Sequence, residues 1–244
     1  EQGVQSEGCI TRQATYDSAG MMTSQAIFYP DGTPKYEENG VHEYRFTRDA
    51  LGRTCGVRYF DGQGNPVYSP SDSCAEYRTV LDDQGRVLEL WKYDVQGELT
   101  FNRSAGSYGH RYTYDENGNR TQIEHLDADG NLVQGSDGYA TIVTEYDDMG
   151  RAIRESCLDV QGNPVRGASG FAFLEISYDT FGNYSGSQYY DESHVPCYHV
   201  DGYSSSEIFY EGGNPVSIAY FDTDGKPMLC QKAYHKLCRD FDEK

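Results

Sequence analysis

Little in this sequence invites a chemical reading, and each absence removes a class of function. No run of about 18 apolar residues occurs, so no segment can cross a bilayer as a helix. Positive charge is scarce: 20 Lys and Arg stand against 39 Asp and Glu, a net charge of −19. That balance argues against nucleic acid and anionic membranes as partners. It serves solubility first, and a cation or a basic partner second. Cysteines number seven, an odd count, with no C-x-x-C. They fall out of phase with one another and read as small buried hydrophobes; Cys230 and Cys238 alone form a candidate pair. The six His are scattered, and G-x-S-x-G, H-E-x-x-H and phosphate-loop motifs are missing. No catalytic residues and no cofactor are therefore expected. A helical apolar stripe is missing as well. Apolar residues make up 37% of the chain and mean hydropathy is −0.74, too polar for a thick core.

What the chain does have is a repeat. The stretch Tyr139–Gly170 holds a turn at Asp147-Asp148-Met149-Gly150, a second at Asp159-Val160-Gln161-Gly162, then Asn163-Pro164-Val165 and a third break at Ala168-Ser169-Gly170. The first-turn acid recurs at Asp17, Asp49, Asp82, Asp115, Asp147, Asp179 and, as glutamate, Glu211. Those spacings are 32, 33, 33, 32, 32 and 32 residues, so units start at Cys9, Val41, Cys74, Ser107, Tyr139, Phe171 and Tyr203. A fixed period of this size denotes a tandem array.

The unit is a hairpin by its local chemistry. An Asp carboxylate can accept the N–H two residues on, and the Gly of D-x-x-G can take positive φ. Together they favour a type I turn with a left-handed glycine, a common hairpin connection. Flanking residues alternate with period two, as at Ile142, Thr144 and Tyr146 or Val216, Ile218 and Tyr220. Two turns per unit predict two long strands and a shorter third. The expected fold is all-β: one domain over residues 1–244, seven hairpin units in an extended, twisted antiparallel sheet or solenoid. A seven-bladed propeller is the alternative, although about 40 residues per blade is usual. Unit six carries His194 where the other second turns carry Gly, and unit seven is one residue short at Glu211-Gly212-Gly213-Asn214. The tail from Tyr234 loses the pattern and reads as a cap.

The phrases Tyr114-Asp115-Glu116-Asn117-Gly118-Asn119-Arg120, Tyr146-Asp147-Asp148-Met149-Gly150-Arg151 and Tyr178-Asp179-Thr180-Phe181-Gly182-Asn183 resemble the YD repeats of bacterial Rhs and wall-associated proteins and of teneurins. As a repeat style the resemblance covers nearly the whole chain. It implies β-hairpins joined into long spiralling sheets at cell surfaces or in secreted shells, and hence a structural or binding scaffold. The unit here is longer, and within these 244 residues the resemblance extends to no Rhs-type core motif or toxin domain.

Three candidate sites remain. Asp127-x-Asp129-Gly130 and Asp222-x-Asp224-Gly225 are fragments of a calcium loop, but Gly stands where a hairpin needs it, so the turn role is favoured. Asp191, His194, Cys197 and His199 have zinc-compatible types without a second ligand pair, so no metal is assigned. Tyrosines at matching positions (Tyr16, Tyr114, Tyr146, Tyr178, Tyr210) form a ladder along one face, read as core. Neighbours on a strand face opposite ways, so Tyr59-Phe60, Tyr189-Tyr190 and Tyr220-Phe221 should each turn one ring outward. Trp91, Tyr59, Tyr189 and Tyr220 are the candidate binding residues. The expected protein is a non-enzymatic, exported bacterial repeat protein, its start at Glu1-Gln2-Gly3 fitting removal of a signal peptide. The expected partner is a protein or glycan at the cell surface. Alternatives are a carbohydrate-binding module using outward Tyr and, behind it, a glycoside-active enzyme.

Overall fold

The computed structural model describes residues 11–37, 40–69, 73–229 and 236–238. Among them there is no helix, and every strand pairing is antiparallel. Each repeat supplies two strands. Repeats one to three give β1 (Thr11–Tyr16), β2 (Met22–Phe28), β3 (Glu43–Arg48), β4 (Thr54–Phe60), β5 (Glu76–Leu81) and β6 (Val87–Tyr93). Repeats four and five give β7 (Gly109–Tyr114), β8 (Arg120–Leu126), β9 (Thr141–Tyr146) and β10 (Ala152–Leu158). Repeats six and seven give β11 (Phe173–Tyr178), β12 (Tyr184–Tyr190), β13 (Ser205–Glu211) and β14 (Asn214–Phe221), and β15 (Lys236–Cys238) follows. The chain divides into two compact units, residues 1–102 with 108–110 and residues 103–107 with 111–244.

Within each unit the strands pair in chain order, and neighbouring repeats share one ladder. In the first unit β2 pairs with β3 through Ser24↔Arg45 and β4 with β5 through Gly56↔Arg78. In the second, β10 pairs with β11 and β12 with β13 in the same way. Propeller blades would be separate four-stranded sheets, so this ladder answers to the hairpin array and not to the propeller.

Turn chemistry sets the hairpins. Asp147 N–H donates to Arg151 O at 2.9 Å and Gly150 N–H to Asp147 O at 2.9 Å. Gly150 has φ 75°. The register slips one residue beside this turn, between Ala152 and Arg154, as a glycine bulge requires. His194 fills the glycine position of its turn at φ 60°, a conformation His tolerates. The shortened turn of repeat seven has a separate physical cause: Gly212 and Gly213 take φ 56° and 83°, and Glu211 pairs with Asn214. Two central residues at positive φ are the signature of a two-residue type I′ loop, which needs one residue fewer. Gly150→Val should cost about 2 kcal/mol, because a β-branched residue at positive φ is strained. Met149→Ala, at an exposed tip, should cost under about 0.5 kcal/mol. Urea melts of the two variants check this, and equal midpoints would refute the turn geometry.

The predicted third strand is a single bridge. Pro164 bridges Leu158, and Val165 N–H donates to Cys157 O at 2.9 Å. This folds the third segment back over the end of the second strand, and there the core forms. Unit-start residues and residues late in the second strand line up in one column. In the first unit Val41, Val57, Tyr59 and Cys74 form one buried cluster; in the second Cys157, Phe171, Tyr189 and Cys197 form another. The opposite face at the same level is covered by arginines: Arg45 lies 3.7 Å over the Phe60 ring, and Arg78 4.1 Å over Tyr93.

The tail differs from its reading as patternless. β15 pairs with β14 through Ser217↔Cys238 and Ala219↔Lys236. That is the 21-residue offset by which Ser24 meets Arg45 and Gly186 meets Glu207. Residues 236–238 thus hold the place of a first strand in an eighth repeat. The sequence agrees: Asp242 follows Glu211 by 31 residues, the period less the one missing from repeat seven. Cys9 and Cys230 lie outside the described residues, and so does most of the proposed cap.

Candidate functional site

The turn acids are occupied by their own turns. Asp127 Oδ1 accepts the N–H groups of Asp129 and Asn131, each at 2.9 Å, and Asn131 Nδ2 reaches Oδ2 at 3.3 Å. Asp222 Oδ1 accepts from Asp224 and Lys226 likewise, while Lys226 Nζ sits 3.1 Å from Asp224. Asp147 has the Arg151 guanidinium in place of the Asn amide, with Nε 2.8 Å from Oδ2. That hydrogen bond, and then the Arg151 N–H, hold the Asp147 carboxyl below its ordinary value. A carboxylate engaged on both oxygens is a poor calcium ligand. Among the described residues no cluster of three or more His, Cys, Asp or Glu could hold a metal.

The zinc-type set is dispersed. His194 stacks on Tyr190, ring centroids 4.3 Å apart, and faces Glu175 at 3.4 Å. His199 instead stacks on Tyr189 at 4.8 Å. Cys197 is buried, its thiol directed at Gly170 O, and burial raises its pKa.

The candidate binding rings are mostly inward. Tyr59 is 3% exposed and Tyr189 8%, so the expectation that they offer outward surface does not hold. Both stand in the buried column; their neighbours Phe60 and Tyr190 lie under Arg45 and His194. Tyr220 is half-buried and packs on Tyr203 at 4.6 Å. Trp91 is also half-buried. Its ring occupies the space where Gly109 would carry a Cβ, 2.6 Å from that position, and its Nε1 donates to Glu89 at 3.0 Å.

One constellation was not visible in the sequence. His125 lies between Ser107, 3.4 Å from Nδ1 to Oγ, and Asp137, 3.1 Å from Nε2 to Oδ2. The types are those of a hydrolytic triad. Ser107, however, is 0% exposed and His125 5%, so no external substrate reaches the hydroxyl. The trio ties the third turn of repeat four to the second strand above it. Residues 107, 125 and 137 share no motif spacing, so only the fold brings them together.

The tyrosine ladder has a mechanical role. Tyr146 OH donates to Arg120 O, Tyr178 OH to Ala152 O and Tyr210 OH to Tyr184 O, each at 2.9 Å and each 26 residues back. Arg48 stands at the same position of repeat two and donates to Met22 O at 2.7 Å, also 26 residues back. Each bond fastens a repeat to the one before it. Tyr178→Phe should lower stability by about 1 kcal/mol, the net worth of one such bond. A thermal melt matching the parent would show the hydroxyl contributes nothing.

An open groove of about 630 Å³ lies beside the first turns of repeats six and seven. It is lined by Asp179, Phe181, Asn183, Ile208, Phe209, Tyr210, Gly212 and Gly213. Phe181 is 90% exposed and Phe209 46%. Asp179 is the one ionisable carboxylate in the lining, and the Asn183 side-chain amide holds it below its ordinary value. The volume falls in the range of ligand-binding clefts, about 300–1,000 Å³.

No family model and no curated protein matches the chain. Solved structures with partial likeness include the Photorhabdus luminescens Tc holotoxin pore with a substitution in TccC3 (12% identity, 86% of this chain, 12% of that chain, TM-score 0.31). TcdB2-TccC3 without its hypervariable C-terminal region gives 14% identity over 86% of this chain and 13% of that one, TM-score 0.32. TcdB2-TccC3-TEV gives 12% identity over 89% and 14%, TM-score 0.28. This chain spans only 12 to 14% of the length of these three.

Proposed function

We propose that this chain is a non-catalytic, exported bacterial repeat protein that acts as a structural or binding surface toward a protein or glycan at the cell surface. The observation that carries the reading is where the polar groups go. Turn carboxylates are engaged within their own turns, and tyrosine hydroxyls join one repeat to the last. The triad-like trio is sealed. A chain that commits its reactive groups to stacking suits a scaffold, whose stability is a sum of repeats and their interfaces. The Tyr-Asp-x-x-Gly phrase and its likeness to YD repeats support export and a surface location. The carbohydrate-binding alternative is weakened by the burial of Tyr59 and Tyr189.

In-frame deletion of one unit, residues 139–170, tests the scaffold reading. The shortened chain should fold, keep its strand signal per residue in circular dichroism and remain monodisperse. An enzyme centred on one cleft would not tolerate that loss. Turnover of chromogenic glycosides or esters by the purified parent would overturn the non-catalytic reading, and saturable signals on a glycan array would select the carbohydrate-binding one.

A further inference from the structure

The groove beside Phe181 is a side-chain slot that the chain fills elsewhere and leaves open here. In four repeats the residue four after the first-turn acid reaches toward the turn glycine of the next repeat. Met21 reaches Gly52, Arg53 reaches Gly85, Asn119 reaches Gly150 and Arg151 reaches Gly182, each within 4 Å of where a Cβ would stand. Gly212 and Gly213 have nothing within 4 Å. The cause is the turn of repeat seven, which is one residue short. Asn183 stands where repeats two and five have Arg53 and Arg151, but Asn119, likewise bonded to its own turn acid, still reaches Gly150. Asn183 stops at the Asp179 carboxylate, 2.9 Å from Oδ2.

The occupied slots show what chemistry fits. Arg53 places Nε 2.7 Å from Asp49 Oδ2 and donates from Nη1 to Asp82 O at 2.7 Å. Arg151 pairs with Asp147 and lies 4.5 Å over the Tyr178 ring. In the open slot Asp179 takes the place of Asp147, and Tyr210 that of Tyr178. The Tyr210 hydroxyl is spent on Tyr184 O, which leaves its ring for stacking. Phe181 and Phe209 give this slot aromatic walls where the slot of Arg53 has Leu51 and Val80, suited to aliphatic neighbours of a guanidinium.

We propose that this groove binds an arginine side chain presented by a partner peptide. The guanidinium would stack on Tyr210 and pair with Asp179 Oδ2, in place of or beside the Asn183 amide that it accepts from, while the flanking residues of the peptide lie on Phe181 and Phe209. Charge is complementary, since a chain of net charge −19 attracts a cationic segment. Planar stacking together with a carboxylate partner selects Arg over Lys. The slot is independent of the scaffold role, because an empty groove leaves every repeat-to-repeat bond intact.

The test is a titration of the full chain with capped Leu-Arg-Leu and capped Leu-Lys-Leu tripeptides at about 0.15 M salt, followed by amide chemical shifts. Saturable shifts around Phe181 and Tyr210 are expected for the arginine peptide, at least about tenfold stronger than for the lysine peptide. Asn183→Arg, which installs the side chain used at Arg53 and Arg151, should abolish those shifts and raise the melting temperature. Phe181→Ala, at a fully open position, should weaken binding without unfolding the protein. Equal response to both peptides, binding undiminished by Asn183→Arg and Phe181→Ala, or no saturation at millimolar peptide would each overturn the proposal. Success here and failure of the unit deletion, or the reverse, would separate the slot from the scaffold role.

Discussion

Gly106→Val should lower stability by about 4 kcal/mol and the melting temperature by roughly 10 °C, twice the cost of Gly150→Val. Two penalties fall on one atom. Gly106 has φ 71°, so any Cβ is strained there and a β-branched one most of all. A Cβ would also stand 2.4 Å from Ser136 N and 3.0 Å from Gly135 C, backbone atoms that cannot rotate aside. They belong to the third turn of the next repeat. Ser136 N–H donates to Ala105 O at 3.0 Å, and Ser136 Oγ to Ser104 O. The same stacking of third turns recurs where Ala168 N–H meets Asp137 O at 2.6 Å and Val200 N–H meets Ser169 O at 3.0 Å. Gly150 carries the φ penalty with little of the contact, since the nearest atom to its Cβ position is the Asn119 amide oxygen at 3.4 Å. The difference between the two variants in urea unfolding therefore measures the close approach alone. If both cost the same, the third turns do not stack as described.

The turns were legible because their causes are local. A carboxylate, an N–H two residues on and a glycine three residues on lie within one short phrase, and that phrase recurs with a steady period. His194 was recognisable on the same ground, as a departure whose φ still had to be positive. The burial of Tyr59 and Phe60 was not legible. The period-two rule holds, for their side chains do leave the strand on opposite faces. It says nothing of what covers each face. Tyr59 enters the column with Val41 and Cys74, while Phe60 lies beneath Arg45, a residue of the neighbouring strand. Adjacent aromatics are both buried wherever the third segment closes one side and an arginine stem the other. β15 escaped notice for a simpler reason: the type I′ loop of repeat seven removed one residue and shifted the eighth acid, Asp242, out of the expected phase. The arginine-shaped groove could be seen only once Asn183 was set beside Gly213 in the fold, because the missing partner belongs to the next repeat.

Tyr189→Ala should cost about 3 to 4 kcal/mol, the usual range for emptying an aromatic from a packed site. Its ring is 8% exposed. It lies 5.0 Å from Phe171, 4.8 Å from His199 and 5.8 Å from Tyr203, centroid to centroid. Those rings come from a unit start, a third turn and the next unit start, so the cavity would open where two repeats meet the folded-back segment. Cys197, also in this cluster, is held there by its N–H bond to Tyr189 O at 3.0 Å, so the surroundings cannot collapse freely into the gap. A ring that faced outward as a ligand platform would behave otherwise, since truncating an exposed side chain changes stability by less than about 0.5 kcal/mol. Phe181→Ala supplies that contrast in the same unit, at 90% exposure. Thermal unfolding of the two variants, with near-ultraviolet circular dichroism to follow the aromatic column, decides the matter. A melting temperature lowered by roughly 10 °C for Tyr189→Ala and unchanged for Phe181→Ala places Tyr189 in the core. Equal, small shifts would return it to the surface and restore the aromatic binding face.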